Sequence, residues 1–219
     1  MYKRQHANYL INIAASDPLI WKKSLEALRK EIEYAKKFGC KYLVLHVGKH
    51  TGAGIEKGMK KVVKSLDSVE KYLDGSIKVL LETVAGAGTE VGAKFEQLQQ
   101  MIEMSRVKEH LGVTYDTCHT FAAGYDIRTK ESLKKVVSEI KNTFGEERLY
   151  VVHLNDSLGD LGSHKDRHEH IGMGKIGEEG FRNLFHHRLF RNKPMILETP
   201  VDSRADDKYN VEKCRELWK

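Results

Sequence analysis

Five short aliphatic, β-branched runs recur along this chain, at 41–47, 78–84, 112–117, 149–154 and 194–199, and longer amphipathic stretches separate them. That alternation is the pattern of a parallel sheet wrapped by helices, because each parallel strand needs a long crossover before the next one can pair. The expected helices are 20–38, 56–72, 94–108, 130–144, 178–190 and 206–218. Lys36 and Lys37 suit the negative end of the first helix, and Gly39 stands where its C-terminal cap belongs. A short strand ahead of His6 brings the total to about six strand–helix units, whereas a closed parallel barrel needs eight and typically about 250 residues. The pattern leaves two architectures open: an open α/β sheet, or a barrel without its N-terminal piece.

Composition narrows the class. With 219 residues, 40% hydrophobic, 31% charged and only 3 prolines, the chain has enough apolar material for a core and is neither disordered nor collagen-like. No apolar run approaches the roughly 20 residues that cross a bilayer, so no membrane is expected. Residues 1–6 carry positive charge with no apolar stretch behind them, which argues against secretion. Cys40, Cys118 and Cys214 form an odd set without CxxC spacing, as expected in a reducing, cytoplasmic setting. The net charge of +6 favours polyanionic partners without identifying one. No linker or compositional break appears, and residues 1–219 read as a single domain.

The strand ends carry the chemistry. One run after another terminates in His46, Glu82, Asp116, His153 or Glu198, and His119 follows three residues after Asp116. Parallel strands deliver their C-terminal side chains to one rim, the place where α/β proteins assemble active sites. Carboxylates at the ends of apolar strands cost several kcal/mol each unless a cation meets them, and no Lys or Arg stands at these positions. A metal cluster supplies that charge, and mixed His and carboxylate donors favour zinc or manganese. Asp166 and His168 alternate in an extended loop, a spacing that can chelate an ion. Gly172, Gly174 and Gly177 do not follow a strand with the spacing that cradles pyrophosphate, so no nucleotide cofactor is expected.

Among the remaining histidines, His186, His187 and His110 read as helix-surface residues, while His50, His164 and His170 stay open. Cys118, read as part of a strand, would point away from Asp116 and His119 and pack rather than react.

Three signatures then appear in order: Asp116-Thr117-Cys118-His119 with Phe121 to Asp126, His153-Leu154-Asn155-Asp156-Ser157, and Lys165-Asp166-Arg167-His168-Glu169 with Gly172 and Gly174. Together they resemble the endonuclease IV family of apurinic/apyrimidinic endonucleases, over essentially residues 5–198. The resemblance implies a TIM (β/α)8-type barrel with three zinc ions at its rim, manganese being a partial substitute. Such an enzyme acts on double-stranded DNA and cleaves it 5′ to abasic sites, leaving a 3′-hydroxyl and a 5′-deoxyribose phosphate.

By motif match, His6, His46 and Glu82 would hold the first ion; Glu82 would bridge to a second, shared with Asp116, His153 and Glu198; and His119, Asp166 and His168 would hold the third. Glu82, Asp116 and Glu198 become the catalytic carboxylates. Two ions about 3.5–4 Å apart can activate one water and clamp the phosphate oxygens. Tyr9 and Leu10 match a wedge that fills the gap left by an extruded lesion, and Lys165 and Arg167 match phosphate contacts.

Departures accompany the matches. Val47 stands where the family often has Pro, and Thr83 where Asn usually follows the bridging Glu. Family members carry two further βα units ahead of the segment containing His6. An incomplete barrel would expose strand edges, which self-association could cover. Alternatively, the sequence is an abbreviated form of a longer chain, or a natural short variant of reduced activity. Two rival functions follow: a sugar isomerase or epimerase, needing one or two ions and no third site, and an abasic-DNA-binding module without turnover.

Overall fold

The computed structural model describes residues 4–219. These divide into two compact units, one comprising 4–83 with 88–114, the other 84–87 with 115–219.

The first unit is a parallel βα array. Its strands are β1 (Arg4–His6), β2 (Tyr42–Leu45), β3 (Lys78–Glu82) and β4 (Leu111–Asp116), adjacent in chain order, with the last two residues of β4 counted in the second unit. The crossovers are α1 (Pro18–Lys37), α2 (Ile55–Asp67) and α3 (Phe95–Met104). Helix α1 starts where it does because the Asp17 side chain accepts the Leu19 and Ile20 N–H groups and Pro18 pre-sets the first helical φ. It stops because Gly39 adopts a φ of +69°, a conformation that costs a residue with a Cβ. Leu25, Leu28, Ile32 and Ala35 form its buried stripe at three- and four-residue spacing. Full burial of each of its leucines or its isoleucine is worth about 1.5–3 kcal/mol.

The second unit contains α4 (Thr117–Ala122), α5 (Lys130–Asn142), β5 (Leu149–Leu154), β6 (Asp156–Ser157), β7 (His168–Glu169), α6 (Gly177–His186), α7 (Arg188–Arg191), β8 (Met195–Leu197) and α8 (Asp207–Trp218). Strands β5 and β8 pair in parallel, and β6 and β7 form a short antiparallel hairpin.

Every expected strand is present, that at 149–154 with the expected ends and the others bounded in the sequence with at least one end shifted by one or two residues. Three expected helices end early or break. The 56–72 helix ends at Asp67 and gives way to a 3-10 turn at Glu70–Tyr72; the 94–108 helix ends at Met104; and the 178–190 helix breaks at His187, whose Nδ1 accepts the Leu189 N–H and starts α7. The larger correction is at Cys118, which lies in helix α4 rather than in a strand. Residues 111–123 are buried throughout, so no polar face marked the helix. Among the described residues no helix is long and apolar enough to cross a membrane.

Candidate metal centre

Strand register puts the candidate ligands of each unit on one face. His6 pairs with Val44, two positions before His46, and the Leu45–Leu81 pair sets His46 opposite Glu82 one step further on. Side chains alternate along a strand, so this even stagger points all three the same way. In the second unit His153 pairs with Ile196, two before Glu198, by the same parity.

In the first unit His6 Nε2 and His46 Nε2 each lie 3.0 Å from Glu82 Oε2. Glu82 is fully buried at the end of β3. His6 Nδ1 sits 2.6 Å from the Ala7 carbonyl, which can only accept, so the ring donates there and turns its other nitrogen toward the carboxylate. That is the usual way a ligating histidine is oriented. The Tyr9 ring stacks on His6 at 4.9 Å and meets His46 edge-on at 5.2 Å.

The second unit brings together two groups. His153 Nδ1 lies 3.1 Å from Glu198 Oε2 and 4.0 Å from Asp116 Oδ2. His119 Nε2 is 3.1 Å from Asp166 Oδ1, and His168 Nε2 is 3.5 Å from the same oxygen. His168 Nδ1 faces the Glu198 carbonyl at 2.9 Å, which directs its Nε2 at His119 Nε2, 3.4 Å away. Two ring nitrogens and a carboxylate oxygen converging in this way fit a divalent cation between them. Asp116 both ends β4 and caps α4, its Oδ1 accepting the His119 N–H at 2.8 Å. One loop of chain therefore sets the directions of both side chains.

Taken together, these donors are imidazole nitrogens and carboxylate oxygens, with Glu82 and Asp116 wholly buried. That set fits a zinc- or manganese-type ion and has the chemistry for polarising phosphate oxygens and water. Cys118 Sγ comes within 4.8 Å of ligand atoms of Asp116 and His168. Burial pushes its thiol up to about 12, and it donates to the Arg167 carbonyl.

The remaining sequence candidates are not members of the ligand groups. Tyr9 and Leu10 are 67% and 86% exposed while Ile11 is 3% exposed, so only Ile11 packs inward. Lys165 and Arg167 are exposed, and the Arg167 guanidinium donates to the Asp166 carbonyl. His50 Nδ1 accepts the Gly54 N–H, His164 Nδ1 donates to the Ala85 carbonyl, and His170 is buried against Asn210 and Asp202. None of them joins a ligand group among the described residues. What the sequence offered only as part of a motif is Asn155, which is buried between Asp116 and Glu198.

A family model for the xylose isomerase-like TIM barrel matches residues 4–218. A probable endonuclease 4 of Methanoculleus marisnigri is 46% identical over 213 residues, covering 97% of this chain and 76% of that protein. The chain belongs to the endonuclease IV family. A second such relative, from Thermotoga sp., is 46% identical over 195 residues, covering 89% of this chain and 68% of its own length. The crystal structure of endonuclease IV from Thermus thermophilus superposes with a TM-score of 0.83 at 35% identity, covering 99% of this chain and 75% of that one. A D-tagatose 3-epimerase-like protein shares the barrel fold at a TM-score of 0.72 and 21% identity. This family member is thus a TIM-barrel protein with six parallel strands among its described residues.

Proposed function

We propose that this endonuclease IV family member is a zinc-dependent DNA repair endonuclease that hydrolyses the backbone 5′ to abasic sites, leaving a 3′-hydroxyl and a 5′-deoxyribose phosphate. The observation that carries the reading is the group of His119, Asp166 and His168, whose donors converge beyond the carboxylate sets that a one- or two-metal sugar epimerase needs. The endonuclease 4 names of relatives at 46% identity support the same class.

In this reading His6, His46 and Glu82 hold one ion; Asp116, His153 and Glu198 a second; and His119, Asp166 and His168 a third. When bound, the ions supply Lewis acidity to the phosphate oxygens and acidity to water. The chain's own part is orientation. Carbonyls at Ala7 and Glu198 turn His6 and His168 toward their carboxylate partners, and the His119 N–H fixes Asp116. Tyr9 and Leu10 enter the gap left by an extruded abasic nucleotide, Tyr9 already being seated on His6. Lys165 and Arg167 take the flanking phosphates. The three free thiols accord with a cytoplasmic setting.

The test is incision of an end-labelled duplex carrying one abasic-site analogue, by zinc-loaded protein and by Glu82→Gln. Cleavage 5′ to the lesion by the first and not the second is expected. Binding without cleavage would replace the proposal with a DNA-binding role, and aldose epimerisation without incision would favour the sugar-enzyme alternative.

A further inference from the structure

Asn155 follows β5 directly and has no exposed surface. Its side-chain oxygen accepts the Glu198 backbone N–H at 3.0 Å, and its side-chain nitrogen donates to Asp116 Oδ2 at 2.6 Å. The assignment of the two amide atoms is forced, because a backbone N–H can only donate and a carboxylate oxygen here can only accept. The backbone of Asn155 is fixed as firmly. Its N–H donates to Thr117 Oγ1 at 2.8 Å, and that hydroxyl donates to the Asn155 carbonyl at 2.7 Å. A single rigid amide therefore spans the ends of β4 and β8.

The consequence is geometric. Asp116 has its Oδ1 on the His119 N–H and its Oδ2 on the Asn155 amide, so its carboxylate plane cannot rotate. Glu198 is held by its own backbone N–H, two bonds from the Cβ that aims its side chain at His153 Nδ1, 3.1 Å away. We propose that Asn155 is a positioning residue that sets the separation and direction of the Asp116 and Glu198 carboxylates as a pair of metal ligands. The proposal rests on the metal-centre reading above and adds to it the residue that couples two ligands. A ligand carboxylate without its supporting hydrogen bond binds metal about 10- to 100-fold more weakly.

Two variants separate this role from simple packing. Asn155→Asp keeps the shape and the acceptor for Glu198 but replaces the donor at Asp116 with an oxygen; Asn155→Ala removes both contacts. Zinc stoichiometry and affinity are measured by competition with a chromophoric chelator, together with the visible spectrum of the cobalt(II)-substituted protein, which reports ligand geometry. Far-UV circular dichroism checks that each variant is folded. The expected result is wild-type secondary structure in Asn155→Asp, one zinc ion bound at least tenfold more weakly, and an altered cobalt spectrum. Wild-type stoichiometry, affinity and spectrum in a folded Asn155→Asp would overturn the positioning role. Zinc binding by neither the wild-type protein nor the variant would overturn the metal-centre reading and this inference with it. Should Asn155→Ala not fold, the Asn155→Asp comparison decides alone.

Discussion

At the scale of single residues, Asp156 shows how much one buried carboxylate can organise. Its Oδ1 accepts the N–H groups of Ser157 and Ile176 at 2.8 and 2.9 Å, and its Oδ2 those of Gly172 and Gly174, both at 3.0 Å. Gly174 is required there, since a Cβ would come within 2.5 Å of Asp156 Oδ1 and 2.6 Å of the Ser157 carbonyl. Burial pushes the Asp156 carboxyl up, against the pull of these donors. Asn at this position would aim an NH2 at backbone N–H groups and leave them unsatisfied. Asp156→Asn should therefore cost about 2–4 kcal/mol, read as a lowered midpoint in urea denaturation, with faster amide exchange over residues 172–177. Unchanged exchange in that segment would contradict the assignment. Nothing in the sequence announced the role: Asp156 stood in a recognised motif, but its partners are backbone amides up to 21 residues away, and these leave no side-chain pattern. Eight of the nine ligand candidates stood out in the sequence for the opposite reason, because strand ends, a neighbour three residues on and an alternating pair are local signals, and His6 came only from the motif match.

At the scale of elements, the same contrast separates what was legible from what was not. Helices with one buried stripe, such as α1 and α5, were found within two residues of their ends. Helix α4 has no exposed side, and β6 and β7 are two residues each, so neither periodicity nor length could reveal them. Arg128 links three of the helices in the second unit. Its guanidinium bonds Asp126 through two nitrogens at 3.0 and 2.9 Å and lies 5.3 Å from the Phe121 ring of α4, while its carbonyl accepts the Asn183 amide of α6 just before α5 begins. The Arg128 side chain holds the Asp126 carboxyl below its usual range. A carboxylate lowered by folding stabilises above its unfolded pKa of about 3.9, and that contribution is lost as pH falls through the folded value. Arg128→Met should thus lower stability by about 1 kcal/mol at pH 7, a modest figure because the pair is partly exposed. Urea midpoints of the two proteins should begin to converge as pH falls below about 5 and go on converging below the unfolded pKa of about 3.9. A gap that stays constant as pH falls through that region would show that the ion pair contributes nothing.

At the scale of the whole molecule, the parallel strands, the amphipathic helices and the family could be read from the chain, whereas helix α4 and the division into two compact units could not. The boundary falls inside β4, between Thr114 and Tyr115, and around 84–87, where no linker marks it. What the ligand groups share is a thermodynamic burden. Glu82 and Asp116 are wholly buried carboxylates, and the His119 and His168 ring nitrogens approach to 3.4 Å. Such groups are costly without a cation between them. A ligand that binds only the folded state stabilises it by RT ln(1 + [L]/Kd), about 4 kcal/mol for one site at 1,000 times its Kd. For a chain of this size, each kcal/mol moves the midpoint by roughly 2–4 °C, so one well-occupied zinc site should raise it by about 8–16 °C. Thermal unfolding with excess zinc and with excess chelator should show at least that difference, larger if several sites fill. His168→Ala should remove part of it and leave the share due to His6, His46 and Glu82, since those three lie in the first unit and His168 in the second. A midpoint indifferent to chelator would remove the basis for a metal-dependent activity.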